Sequence, residues 1–216
     1  MSLFDQLDGG TDAEATREAD GFIQGLAVGV VTDNEDSDGL GRVRVRLPWH
    51  QDSDTSFWAR IAVPMAGDQR GTYFLPEIDD EVLVGAEFGD PTHLYVLGGL
   101  WNGRNGPPET NSDGNNDVRI IKSRSGHSLK FNDGQEPEVE LKLSDGKRLV
   151  LDREGVIVED AQGNKITIET TSGGITIESA AQLKIKSQMV SIEAGASLEL
   201  KASGTLTIRG ALVQIN

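Results

Sequence analysis

From Leu141 onward the chain repeats one spacing. Two aliphatic side chains flank a single intervening residue in Leu141/Leu143, Leu149/Leu151, Val156/Val158, Ile166/Ile168, Ile175/Ile177, Leu183/Ile185, Val190/Ile192, Leu198/Leu200, Leu206/Ile208 and Val213/Ile215, with successive couplets an average of 8 residues apart. The residue inside each couplet is polar in most cases, as with Lys142, Thr167, Thr176, Lys184, Glu199 and Thr207. A two-residue apolar period is that of a β-strand with one face inward. Turn formers separate the couplets, among them Asp145-Gly146, Gly163-Asn164 and Gly173-Gly174. Each unit therefore predicts a strand of about five residues followed by a turn of about three.

Strands this short cannot bury two aliphatic side chains singly, so they must stack on one another. No Phe, Tyr or Trp follows Phe131, and the interior must be narrow. Three chains wound about one axis meet both conditions: each adds one strand per layer, the couplets from Leu141/Leu143 to Leu206/Ile208 meet at the threefold axis as the trimer core, and no strand edge stays open. Ten layers at ~4.8 Å make a rod about 50 Å long. The simpler alternative is an antiparallel sandwich, which would ordinarily use some aromatic core residues.

The first half follows a different pattern. Leu26, Val28 and Val30 alternate with Ala27, Gly29 and Val31; Arg42 to Leu47 alternates charge with Val43, Val45 and Leu47, which face a core; Pro48-Trp49 stops that strand. Phe57–Ile61, Glu81–Phe88 (with Val82, Val84, Ala86 and Phe88 on one side) and Leu94–Leu100 complete five short antiparallel strands. Five such strands in about 80 residues suit an oligonucleotide/oligosaccharide-binding (OB) barrel. The fold class expected is all-β: residues 1–20 an N-terminal arm, 21–103 the OB barrel, 104–116 a linker rich in turn residues, and 117–216 an intertwined, trimeric, triple-stranded β-helix shaft.

Composition narrows the function. The chain has no cysteine, which excludes disulfides and thiolate metal sites. Its net charge is −15, and residues 1–110 carry 20 acidic against 7 basic side chains. A non-specific nucleic-acid binder needs the opposite sign. No apolar run approaches the ~20 residues of a membrane helix, and no signal peptide opens the chain.

Three constellations resemble sites. Asp79-Asp80-Glu81, with Glu77, could hold a cation or act as acid and base, but adjacent acids on a strand entry diverge and read as a solvated turn. Arg42, Arg44 and Arg46 on one strand face could meet phosphates, but that strand lacks an aromatic platform, so intersubunit or surface ion pairs are expected. His50, His93 and His127 lie far apart in sequence, each without a ligand partner at metal-binding spacing. The glycine pairs lack the lysine of a phosphate loop. No catalytic set, cofactor or metal is called for.

Residues 22–103 resemble the OB domain of contractile-injection-system spikes, namely phage baseplate assembly protein V and the VgrG-type spike of type VI secretion. The resemblance is carried by Gly41-Arg42-Val43-Arg44-Val45-Arg46-Leu47-Pro48-Trp49, Trp58-Ala59-Arg60, Gly71-Thr72-Tyr73-Phe74-Leu75-Pro76, Phe88-Gly89-Asp90-Pro91 and Tyr95-Val96-Leu97-Gly98-Gly99-Leu100-Trp101-Asn102-Gly103. The aliphatic repeat is similar to the β-helix of these spikes. The resemblance implies a non-enzymatic homotrimer at the tip of an inner tube, assembled in the cytoplasm into a phage tail-like particle or virion and fired outward. It implies a separate hub protein at the barrel end, engaged by the arm through Leu3, Phe4 and Leu7. A PAAR-type tip protein would dock on Leu212, Val213, Ile215 and Asn216, with transient contact to the target membrane. No histidine follows His127, so an iron-holding apex is not implied. The alternative is an OB module for oligonucleotide or glycan on a trimeric β-stalk.

Overall fold

The computed structural model describes residues 23, 25–49 and 56–215. Every regular element among them is a strand, and the chain divides into two compact units, residues 1–116 and 117–216.

In the first unit, β1 (Leu26–Asp33), β2 (Val43–Arg46), β3 (Ser56–Ile61), β6 (Glu81–Glu87) and β7 (Asp90–Leu100) close into a barrel in the order β1-β2-β3-β7-β6. All neighbours are antiparallel except β3 and β7, whose parallel pairing joins Ala59 to Leu94 and Ile61 to Val96. This is the five-stranded closed barrel of an OB fold. A two-strand ribbon, β4 (Ala66–Gly67) with β5 (Arg70–Gly71), adds to it, a feature too short to leave an alternation signal.

Alternation decides which residues fill the barrel. Val31, Val43, Val45, Leu47, Ala59 and Val82 are fully buried, with Val84, Leu94 and Val96 scarcely more exposed. On β1 the inward set is Ala27, Gly29 and Val31, while the bulkier Leu26 and Val28 face outward. Gly29 explains the choice: a Cβ there would lie 2.2 Å from Cγ1 of Val45, so only glycine lets β2 cross so closely. Irregular register between Val31 and Asp33, and between Leu83 and Val84, bends the strands as closure requires.

Phe88 departs from the alternation. Instead of pointing inward from β6 it occupies the turn to β7, with φ 50° beside Gly89 at φ 84°, and it is 91% exposed. The two-residue connection between antiparallel strands demands positive φ, and that demand overrides the apolar preference.

The five barrel strands make an odd number of passes. The chain enters at the end holding Leu26, the β6–β7 turn and the start of β3. It leaves after Leu100 at the opposite end.

The second unit is a seven-stranded antiparallel meander: β8 (Val118–Lys122), β9 (Ser128–Asn132), β10 (Glu138–Lys142), β11 (Arg148–Leu151), β12 (Gly155–Glu159), β13 (Lys165–Glu169) and β14 (Ile175–Glu178), each bonded to the next. This corrects the expectation of one strand per layer from each of three chains. Over this stretch each strand's ladder partner is the adjacent strand of the same chain, because the tight turns let hairpins close locally at little entropic cost. Gly126, Gly146 and Gly163, with φ of 88°, 93° and 91°, supply the left-handed turn positions. Residues 179–215 form no strand in the described chain, although five further couplets lie within them.

Candidate assembly surfaces

The meander sorts its side chains by face. Cross-strand pairing aligns Ile121, Leu129, Leu141, Leu149, Val158, Ile166 and Ile177 in one column. The second column on that face is Arg119, Phe131, Val139, Leu151, Val156, Ile168 and Ile175. Apart from Arg119, every position is apolar. The columns arise because each hairpin reverses direction, so from Leu149 onward the first member of one couplet meets the second member of the next.

The opposite face is charged. Arg148 Nε donates to Glu159 at 2.6 Å, Glu140 lies 3.9 Å from the same guanidinium, and Lys130 pairs with Glu138 at 3.1 Å. On this face Val150, paired with Glu140 and Ile157, is at 5% exposure the buried apolar residue of this unit among the described residues. So the polar face is covered by its own side chains and the apolar face is not: Leu141, Leu151, Val158, Ile166 and Ile168 are each more than 40% exposed. An open groove of about 520 Å³ runs along this face, bounded by Leu141, Leu149, Val158, Ile166 and Ile177 and continued by Leu183.

The expected core residues thus divide into two sets. Leu141, Leu149, Leu151, Val156, Val158, Ile166, Ile168, Ile175 and Ile177 share one sheet face, with Leu143 in the turn beyond β10. Leu183, Ile185, Val190, Ile192, Leu198, Leu200, Leu206 and Ile208 are exposed in a stretch without strands. Among the terminal residues, Leu212, Val213 and Ile215 are exposed, whereas Asn216 lies outside the described residues, as do Leu3, Phe4, Leu7 and His50. Sequence spacing missed β8 and β9, whose Ile121, Leu129 and Phe131 extend the same face; alternation is regular in Leu129-Lys130-Phe131, while in β8 Arg119 takes an apolar-face position.

The barrel's polar constellations resolve into structural roles. Asp80 accepts the Glu77 amide at 2.9 Å, the Asp79 amide donates to the Val31 carbonyl at 2.9 Å, and Asp79 takes φ 72°. These acids build a turn. His93 Nδ1 lies 3.1 Å from Asp90 on the surface, and His127 Nδ1 accepts the Ser144 amide at 3.2 Å across neighbouring turns. No group of three potential metal ligands occurs among the described residues.

Arg42 is engaged within its own chain: its guanidinium reaches Asp36 at 2.7 Å and Asp38 at 2.6 Å. Asp36 also accepts the amides of Leu40 and Arg42. The hydrogen bond from Arg42 holds the Asp36 carboxyl well below the usual carboxylate range. The aromatic platform missing from β2 comes from β3. Arg44 pairs with Trp58 across the ladder, and the guanidinium carbons of Arg42 and Arg44 lie 5.2 and 4.8 Å from the Trp58 ring centroid. The next outward pair is Arg60 over Tyr95, at 5.9 Å.

Residues 27–101 match the type VI secretion system/phage-baseplate injector OB domain, a span that begins in β1 and ends just past β7. The type VI secretion system spike protein VgrG3 of Vibrio cholerae is 32% identical over 98 residues, 44% of this chain and 10% of that protein. VgrG5 of Pseudomonas aeruginosa, another protein named as a type VI spike, is 37% identical over 75 residues, 33% of this chain and 10% of its own length. The V. cholerae protein named actin cross-linking toxin VgrG1 is 32% identical over 97 residues, 9% of its length. The matched part therefore spans about a tenth of each of these relatives.

Proposed function

We propose that this chain, whose residues 27–101 match the type VI secretion system/phage-baseplate injector OB domain, is a spike of the VgrG/phage-baseplate V kind, the central spike at the tip of a contractile injection particle's inner tube. The observation that carries the proposal is the uncovered aliphatic face joined to this particular barrel. Three copies turning their apolar faces to a common axis would bury Leu141, Val158, Ile166 and Ile177 and leave the Arg148–Glu159 face in water. These side chains are about half exposed, so covering each is worth roughly half of the ~1.5–3 kcal/mol of full burial, and a sheet of them is a drive to trimerise.

Beyond Glu178 the chain has no ladder partner of its own. The intertwined β-helix is therefore proposed for residues 179–215, where strands from sister chains would supply the missing hydrogen bonds. The barrel end would engage a hub protein, with Leu3, Phe4 and Leu7 as anchors. Leu212, Val213, Ile215 and Asn216 would seat a PAAR-type tip protein. Assembly would take place in the cytoplasm, and contact with a target membrane would come only on firing. The proposed role is mechanical: among the described residues of the barrel, the clustered acids build turns and Arg42 is closed by its own loop.

Light scattering of the purified chain tests the assembly. A trimer mass is expected, and a folded monomer with a protease-resistant second unit would overturn the proposal. Deleting residues 212–216 should leave the trimer intact while abolishing capture of the tip protein.

A further inference from the structure

Arg42 and Arg44 sit two residues apart on β2 and stack against the same indole, yet only one of them is closed. Arg42 is held by two carboxylates, Asp36 and Asp38, both from the loop that precedes β2. Arg44 takes the corresponding stacked position 4.8 Å from the Trp58 centroid, and its Nε is buried without a hydrogen-bond partner. A buried, unpaired guanidinium nitrogen is costly, because desolvation is not offset by an acceptor. The indole already fixes the side chain's orientation, as a preformed carboxylate clamp requires. Arg60, stacked on its ladder partner Tyr95, adds an exposed cation to the same outer wall beside the half-buried Arg44.

Cations on this wall stand in a half of the chain that is otherwise strongly acidic. Ahead of Ile23, residues 1–20 contain six acidic side chains and one arginine. Five of the acids, Asp8, Asp12, Glu14, Glu18 and Asp20, fall in one stretch of thirteen residues. The described chain starts at the barrel end where the Ile23 amide donates to Gly89, the same end at which β3 begins. Thirteen residues reach about 43 Å when extended, more than the roughly 36 Å of the longest barrel strand, β7. Length and charge both suit that stretch to the wall.

We infer that Arg44, stacked on Trp58 beside Arg60, is a carboxylate clamp on the outer wall of β2 and β3, and that the acidic stretch Asp8–Asp20 of this protein is the segment that fills it. Arg42 with Asp36 and Asp38 is the same device completed in cis. Filling the second clamp would anchor the arm along the barrel and present Leu3, Phe4 and Leu7 from a fixed point. The inference concerns the barrel wall alone and does not depend on trimerisation.

The test uses the full chain with Ala15→Cys, the sole thiol in a cysteine-free sequence, carrying a nitroxide. At low ionic strength the Trp58 indole signal should be broadened beyond detection. It should return with Arg44→Gln, and also when Asp8, Asp12, Glu14, Glu18 and Asp20 are neutralised to Asn or Gln, changes that leave the barrel untouched. Wild type in about 0.5 M NaCl, where the screening length is ~4 Å, should likewise recover the signal. A sharp Trp58 signal at low salt, or broadening indifferent to both variants and to salt, would overturn the inference. So would a single-stranded oligothymidylate that shifts Trp58 while the label leaves it sharp, since the wall would then be a nucleic-acid surface. Mass measured on the same samples separates the two ideas: a trimer with sharp Trp58 removes the clamp, and a monomer with broadened Trp58 removes the spike assembly.

Discussion

In the barrel, Val31, Val43, Val45, Leu47 and Val82 are enclosed by the chain that supplies them, whereas in the second unit only Val150 approaches that state among the described residues. Both regions use the same alternation of aliphatic and polar residues on short strands. They differ in closure. The parallel pairing of β3 with β7 joins the ends of the barrel sheet, so each inward side chain meets others across a small interior. The meander has no closing pair, and β8 and β14 remain its edges. The same sequence pattern thus yields a self-sufficient body in one place and an uncovered aliphatic face in the other. The barrel should fold as a single chain, and the second unit should acquire its stability from company.

The sharpest way to break this contrast is to put charge on the open face. Val158→Asp with Ile166→Asp, or Ile185→Asp with Ile192→Asp, should abolish trimers, since each uncompensated buried charge costs several kcal/mol. The barrel amide signals should stay unchanged. Trimers that persist at unchanged mass would mean these residues face water in the assembly too. Next in size is Gly29→Val, which should destabilise the barrel by about 1–3 kcal/mol through overpacking against Val45. It should lower the barrel's melting midpoint and leave the oligomer mass alone.

Acid sharpens the contrast from another side. The folded carboxyl of Asp36 is depressed, so its contribution is present above the unfolded value of about 3.9 and is lost only as pH falls through the lower folded value. Carbon-detected titration should find Asp36 still ionised when exposed carboxyls have protonated, and Arg42→Gln should return it toward the ordinary range. The smallest effect expected is from Phe88→Gly. Relieving the left-handed conformation should stabilise the barrel by about 1 kcal/mol, and a lower melting midpoint would show that the ring packs against something in the folded chain.

Much of the barrel was legible in its sequence, because alternation in Val43-Arg44-Val45-Arg46-Leu47 leaves one buried face possible. Phe88 misled because turn geometry outranked its hydrophobicity. The Trp58 platform was invisible for a different reason. Its partner arginines lie on another strand, and a register is a property of two segments that neither reveals alone. The couplets carried a related ambiguity. A hairpin that folds back on its own chain and a strand that passes to a sister chain need the same spacing, about five residues and a turn. Spacing therefore located the aliphatic face but left open whose strands lie above and below it, which the ladder from Val118 to Glu178 resolves in favour of the same chain.

The odd number of passes through the barrel has a mechanical consequence. Tension applied between Leu26 and Leu100 acts at opposite ends of β1, β6 and β7, along the strands and across their hydrogen bonds. The ladder is then loaded in shear, with its bonds sharing the load at once. An even number of passes would bring both attachment points to one rim, where the same pull would unzip the bonds in turn.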